Sequence, residues 1–328
     1  MRSLVFVGLA LASLPGWPQG QCTHRGDLSP IYCDEDRDLI ADAPKEKSKW
    51  RNPATLMLSY SPQEDTAAYE KLWAPYVAHL SRCVGRPTKF LQVFSSAAAI
   101  EALRSGRIQF SLLATGDTPF AVNVGGAVPY AGIGNEKSLL GYHVVVLVKH
   151  DSPYKLLTDL KGKRVAHTAP SSNSGNMAPR ALFPALGLTP DKDYKVIYSG
   201  KHDNSVIGVL SGDYDAAAVA DDVLDRMVSR GLVKPNAYRV LFKSKPFPAG
   251  SMVHAHDLDP ALATLLKSCT FAYAFSPELK AAFQGSDRFA PLNYRRDFES
   301  VRDVAKNSGA ASLRPGFDGN NKKSEPVK

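Results

Sequence analysis

Four short loops hold the residues best suited to chemistry. They are Ser59-Tyr60-Ser61-Pro62, Thr115-Gly116-Asp117-Thr118-Pro119, Thr168-Ala169-Pro170-Ser171-Ser172-Asn173-Ser174-Gly175 and Ser199-Gly200-Lys201-His202-Asp203-Asn204-Ser205. All are rich in hydroxyls and small residues. Hydroxyls and amides donate hydrogen bonds without carrying charge, so such loops suit the holding of a small oxyanion. Ser171 to Gly175 opens a helical pattern, whose unpaired N–H groups and positive dipole end would add to the side-chain donors. An ordinary N-cap needs only one such residue, and that plainer use competes. His202 can donate from a neutral or a charged ring, or simply occupy a surface turn. Covalent catalysis would need a nucleophile with a base and an orienting group. No GxSxG elbow occurs, and Ser172, His202 and Asp203 match such a set in composition alone, so no catalytic residue is expected.

The elements that must position these loops follow from periodicity. Thr55 to Tyr60 reads as a strand, and Tyr69, Leu72, Trp73, Tyr76, Val77 and Leu80 fall at helical spacing behind it. Thr88 to Phe94 is expected as a second strand, Ala97 to Leu103 as a helix and Phe110 to Ala114 as a third strand. A second series begins at Gly141, with strands at Tyr142 to Lys149, Arg164 to His167, Lys195 to Tyr198, Asp215 to Ala220 and Arg239 to Phe242. Helices are expected between them, at Asp221 to Arg230, and near Pro260 to Phe275, Pro277 to Phe283 and Arg296 to Lys306. Strands alternating with helices imply parallel sheets, and in such sheets ligands bind beyond the carboxyl ends of the strands, where the four loops fall.

The chain has 328 residues, 44% apolar and 22% charged, which excludes disordered, collagen-like and disulfide-scaffold classes and leaves room for two domains. Its net charge of +8 can attract anions, but no basic helix or aromatic-basic stripe supports nucleic-acid binding. Arg2 precedes an apolar run from Leu4 to Leu14 too short to span a bilayer, so 1–21 is expected to be a secretory signal peptide. A lipid anchor at Cys22 is disfavoured because Gln21 directly precedes it. Export makes disulfides possible, and the four cysteines allow three pairings. Cys22 with Cys33 closes a short loop and is the first choice; Cys83 and Cys269 either pair across the fold or stay free as small apolar groups. The acidic run from Asp34 to Asp38 lacks the turn glycine and terminal glutamate of a calcium loop, so a solvated arm with no metal is expected.

The segments Leu156-Leu157-Thr158-Asp159-Leu160-Lys161-Gly162-Lys163-Arg164-Val165-Ala166, Pro170 to Gly175, Ser199 to Ser205 and Gly212 to Ala218 resemble periplasmic phosphate-, phosphite- and phosphonate-binding proteins of ABC transporters. The resemblance spans about Thr55 to Ser308, and the arm from Tyr32 to Pro44 is similar to one branch of the family. It implies an α/β fold of two lobes, each a parallel-rich sheet flanked by helices, that closes over a small oxyanion for an ABC importer. The implied organisation is an arm at 22–53, lobe 1 at 54–140 plus 247–308, lobe 2 at 141–246 and a flexible tail at 309–328.

Further expectations rest on the same resemblance. A periplasmic monomer without a cofactor would bind its ligand through Tyr60, Thr115, Asp117, Thr118, Ser171, Ser172, Asn173, Ser174, His202 and Asp221 or Asp222. One departure stands out. Where relatives have Thr-Gly-Ser, this chain has Thr115-Gly116-Asp117, which puts a carboxylate beside the expected anion. Asp117 can accept a hydrogen bond from a protonated ligand, cap the helix from Thr118, or favour a neutral oxoacid such as arsenous acid. The wider family includes periplasmic arsenite sensors that signal to a membrane histidine kinase, and in that alternative Cys83 can act as a soft ligand.

Overall fold

The computed structural model describes residues 22–64 and 66–309. The expected signal peptide and the tail beyond 309 lie outside the described residues.

Lobe 1 begins with β1 (Leu56–Tyr60), α1 (Thr66–Val84), β2 (Thr88–Phe90), α2 (Ser96–Arg104), β3 (Phe110–Leu113), α3 (Asp117–Gly125) and β4 (Ala127–Gly134). The Ser95 side chain caps α2 by accepting from Ala98 N, and Gly126 ends α3 at φ 62°, where a Cβ would be strained. The chain then crosses through β5 (Gly141–Tyr142) into β6 (Val144–Lys149), β7 (Arg164–His167), a π-helical turn at Asn173–Met177, α4 (Ala178–Leu182), β8 (Lys195–Tyr198), α5 (His202–Ser211), β9 (Ala216–Ala220), α6 (Asp221–Ser229) and β10 (Tyr238–Lys243). It returns through β11 (Phe247–Pro248) to β12 (Ser251–Ala255), α7 (Pro260–Phe271), α8 (Pro277–Ala282), β13 (Arg288–Pro291), α9 (Tyr294–Asp297) and α10 (Glu299–Asn307).

Two mixed sheets result, β13-β4-β12-β3-β1-β2 and β10-β6-β9-β7-β8, and β5 pairs with β11 where the two crossings run side by side. In each sheet the strand entered directly after a crossing, β6 or β12, runs antiparallel to both neighbours, and the other neighbouring pairs that carry the cleft loops, β1 with β3 and β7 with β8 and β9, are parallel. The sheets are therefore less uniformly parallel than strand-helix alternation suggested. The expected second strand stops at Phe90, and the one beginning at Tyr142 is split at His143 into β5 and β6. Sequence reading passed over β4, which carries Pro129, Gly132 and Gly134. Pro129 fits because it faces a register shift between Met252 and Val253, where a ladder N–H is not required.

Lobe 1's core centres on Trp73, packed among Tyr60, Tyr76, Phe275, Phe283 and Phe289. A Cys83–Cys269 disulfide fastens α1 to α7, and Cys22–Cys33 closes the arm. The arm is not merely solvated. Leu28, Tyr32 and Ala41 join the core, the Tyr32 ring meets His256 edge-on at 4.8 Å, and buried Asp34 accepts from the N–H groups of Asp38 and Leu39 at 2.9 and 3.2 Å. The acidic run thus caps its own turn. At the other end of the chain, α9 follows β13 on lobe 1, whereas α10 packs against α4 and the π-helical turn of lobe 2.

Candidate functional site

The strand ends of both lobes converge on a cavity of ≈ 60 Å³. From lobe 1 come Tyr60 at the end of β1, Ser96 at the start of α2, and Thr115, Gly116 and Asp117 after β3. Lobe 2 supplies Thr168, Ser171, Ser172, Asn173 and Ser174 after β7, His202 at the start of α5 and Asp222 at the start of α6, with Tyr142 between the lobes.

The polar groups divide into those already committed and those free to act. Thr115 Oγ1 donates its one proton to Pro248 O at 2.8 Å and accepts from Gly250 N at 3.0 Å, so its hydroxyl fixes the returning crossing. Ser171 Oγ donates across the cleft to Asp117 Oδ1 at 2.7 Å, and Ser96 Oγ donates to Asp117 Oδ2 at 2.6 Å. Ser172 Oγ accepts from Gly175 N at 3.1 Å, which leaves its proton available. Asn173 Nδ2 donates to the Tyr142 hydroxyl at 2.9 Å, leaving the phenol's own proton likewise available. The opening N–H groups of the π-helical turn have no acceptor within it, by the geometry of any helix start. His202 Nδ1 accepts from Ala220 N at 3.3 Å, which puts the neutral ring's proton on Nε2. Burial pushes its pKa down to about 4, so this ring donates without charge at neutral pH.

A second layer holds the π-helical turn in shape. Asn176 Nδ2 donates to Pro170 O at 2.8 Å, while its Oδ1 accepts from Arg180 Nε at 2.9 Å and lies 2.9 Å from His167 Nδ1. The Asn176 amide orientation makes His167 Nδ1 the donor, and the Tyr194 hydroxyl then donates to Nε2 at 2.8 Å. Gly175 is obligatory there, since a Cβ would run into the Thr168 side chain.

The lobes also touch directly. Glu64 of lobe 1 pairs with Arg226 Nε at 2.8 Å and with Arg230, and Arg226 Nη1 reaches back to Asp222 at 2.9 Å. Burial works to raise the Glu64 pKa, but the Arg226 charge and the hydrogen bonds from Tyr69 and Arg226 outweigh it and hold the carboxyl below its ordinary range. Asp117 differs. Burial raises its pKa, and the hydroxyls of Ser96, Ser171 and Ser61 pull it back only in part.

Residues 58–297 match the family described as ABC transporter, phosphonate, periplasmic substrate-binding protein. The chain belongs to that family. It is similar to the phosphate-import protein PhnD of Mycolicibacterium smegmatis, with 28% identity over 70% of this chain and 74% of that protein. The phosphonates-binding periplasmic protein of Escherichia coli is 22% identical over 72% of this chain and 74% of its own. Among solved structures, the fold matches the binding component of a phosphonate transporter from Pseudomonas aeruginosa with a TM-score of 0.70 at 17% identity, covering 78% of this chain and 87% of that one. PhnD1 of Prochlorococcus marinus, solved with methylphosphonate, matches with a TM-score of 0.69 at 17% identity over 78% and 98%. The fold is thus the two-lobed one of periplasmic binding proteins.

Set against this binding-protein fold, Tyr60, Thr115, Asp117, Ser171, Ser172, Asn173, Ser174, His202 and Asp222 all line the cavity. Thr118 and Asp221 do not. Thr118 Oγ1 lies 2.8 Å from Ser251 Oγ and donates to Ala114 O, which ties α3 to β12. Asp221 is turned to His143, accepting from its N at 2.7 Å, and to Lys243 at 3.1 Å. Cys83 is spent in the disulfide with Cys269 and offers no thiolate, which removes it as a soft ligand. Ser172, His202 and Asp203 form no relay, because His202 Nδ1 accepts from Ala220 N and Asp203 Oδ1 accepts from Asn204 N at 2.8 Å. Sequence reading missed Ser96 and Tyr142. Paired serines opening a helix pattern signal the first; nothing local signals the second.

Proposed function

We propose that this protein captures a small phosphorus oxyanion of the phosphate, phosphite or phosphonate type by hinge closure about β5 and β11, and presents it to an ABC permease as a periplasmic monomer. The observation that carries this reading is the set of uncharged donors, Ser172, Ser174, Tyr142, His202 and the first amides of the π-helical turn, gathered around a cavity of ≈ 60 Å³. A space of that size suits a bare oxyanion or a one-carbon phosphonate. The relatives named for phosphate import and phosphonate binding, and the one solved with methylphosphonate, support the same ligand class.

A thermal-shift screen against phosphate, phosphite, methylphosphonate, arsenite, arsenate and sulfate tests it. A ligand at a hundred times its Kd stabilises the folded state by about 2.7 kcal/mol, or roughly 5 °C for a chain of this size. A phosphorus oxyanion should give that shift. Stabilisation by arsenite alone would replace the transport reading with the sensing one.

A further inference from the structure

Asp117 is a carboxylate without a counter-charge. It is 2% exposed, and among the described residues no lysine, arginine or histidine lies within ion-pair distance of it. Its neighbours are neutral: Ser96 of α2 on one oxygen, Ser171 of lobe 2 on the other, and Ser61 of the loop after β1. Buried charges are ordinarily paired. The remaining titratable groups around the cavity do not supply the partner. Asp222 is engaged by Arg226, whose other carboxylate partner Glu64 also takes Arg230. His202 is held neutral by burial, and burial likewise pushes Tyr142 up to about 12 and Tyr60 higher still. Lys201 is the only cationic residue on the cavity wall among the described residues. With Asp222 paired to Arg226, the unpaired Asp117 carboxylate and Lys201 leave no net positive charge to balance a fully ionised ligand.

Resting on the capture reading above, we propose that Asp117 and the ligand bind with one proton between them, so that the site selects oxyanions able to carry a hydrogen and rejects those that cannot. A carboxylate has about four acceptor positions, and Ser96, Ser171 and Ser61 use at most three, which leaves room for a P–OH donor. The proton balances simply. Any phosphite or phosphonate monoanion, and phosphate as either its monoanion or its dianion, brings its own P–OH proton; a phosphite or phosphonate dianion has none and takes one up from the buffer, held between a ligand oxygen and an Asp117 oxygen. Sulfate and alkanesulfonates have no such proton at neutral pH and meet the carboxylate as like charge.

Titration calorimetry of the wild-type protein with phosphite and phosphate at about pH 8.5, in two buffers of different ionisation enthalpy, reads the proton directly. Both free anions are then predominantly dianions: phosphite, with no P–OH left, should take up about one proton, its Kd rising about tenfold per pH unit above its second ionisation, whereas hydrogen phosphate keeps a P–OH and should bind without uptake. Sulfate should bind at least about a hundredfold more weakly. Asp117→Asn keeps an acceptor for one of Ser96 and Ser171, turns an amide donor toward the other and carries no charge, so it should bind without proton uptake and narrow the sulfate gap. Heat with phosphite but no proton uptake in the wild type overturns the shared proton alone, as does uptake that persists in D117N. No heat with any phosphorus oxyanion overturns the capture reading and the proton with it. The wild-type measurement stands even if D117N fails to fold.

Discussion

The proposed closure should be blocked by one methyl group at Gly116. A Cβ built there would lie well inside contact with the Ser171 carbonyl oxygen and 2.5 Å from Asn173 N, both backbone atoms of the opposite lobe. Backbone cannot rotate aside. Restoring ordinary contact of about 3.5 Å requires the lobes to back off by about 1 Å or more at this point. That would stretch Ser171 Oγ to Asp117 from 2.7 Å, and the Glu64–Arg226 pair from 2.8 Å, beyond useful hydrogen-bond length. Hydrogen bonds to charged groups contribute about 1.5–3 kcal/mol, so losing the equivalent of one predicts an affinity loss of roughly 10- to 150-fold. The open form should not suffer, because Gly116 sits at φ −70° and ψ −27°, angles open to alanine. Calorimetry with phosphite or methylphosphonate, alongside small-angle scattering with and without ligand, would read both effects. Gly116→Ala should keep its unliganded Tm, bind weakly and fail to compact. Wild-type affinity with full compaction would refute the reasoning.

Three other outcomes follow from the same geometry. Glu64→Gln leaves Arg226 and Arg230 facing a neutral amide across the cleft, so ligand dissociation should quicken about tenfold or more while the unliganded Tm moves little, as stopped-flow release would show. Replacing both Cys83 and Cys269 by serine frees a loop of 186 residues and should lower stability by up to about 5 kcal/mol in denaturant melts, with oxyanion affinity unchanged because the pair lies away from the cavity. His167, His202 and His254 are each depressed to about 4 by burial, so the unfolded chain takes up their protons first as pH falls. Their stability contribution is whole above about pH 6.5 and is lost toward pH 4 at about 1.4 kcal/mol per unit per histidine, offset in part by Asp117, whose raised pKa acts in the opposite sense; unfolding melts at pH 7 and 5 would show it.

The cleft loops were legible because hydroxyls and glycines placed at strand ends have few structural uses, and Ser171 to Ser174 and His202 do meet at the cavity. What each hydroxyl does was not legible. Thr115 and Ser171 looked like ligand donors, yet each gives its proton to a group more than fifty residues away, and only the tertiary fold decides that. Glu64 and Arg226 are 162 residues apart, with no local pattern to mark them as partners. Thr118 and Asp221 stand one residue from true lining positions, where helical rotation turns their side chains away. The strands β1, β3, β7 and β9 were readable as apolar runs, whereas β4 hides behind its proline and glycines and makes sense only against the bulge in β12.

The placement of α10 constrains the kinematics of the whole molecule. Two adjacent ties, at β5 and β11, would leave the lobes free to bend and to twist about the line between them. A third tie runs from α9 on lobe 1 to α10 on lobe 2, and Val301, Val304 and Ala305 anchor it at the back of the turn that carries Asn173 to Met177. Three points of attachment act like a hinge with a check-strap. In the proposed closure, bending would remain easy but twisting would stretch the short joint at Phe298, confining the movement largely to one arc that brings Asp117 and Ser171 together in one register.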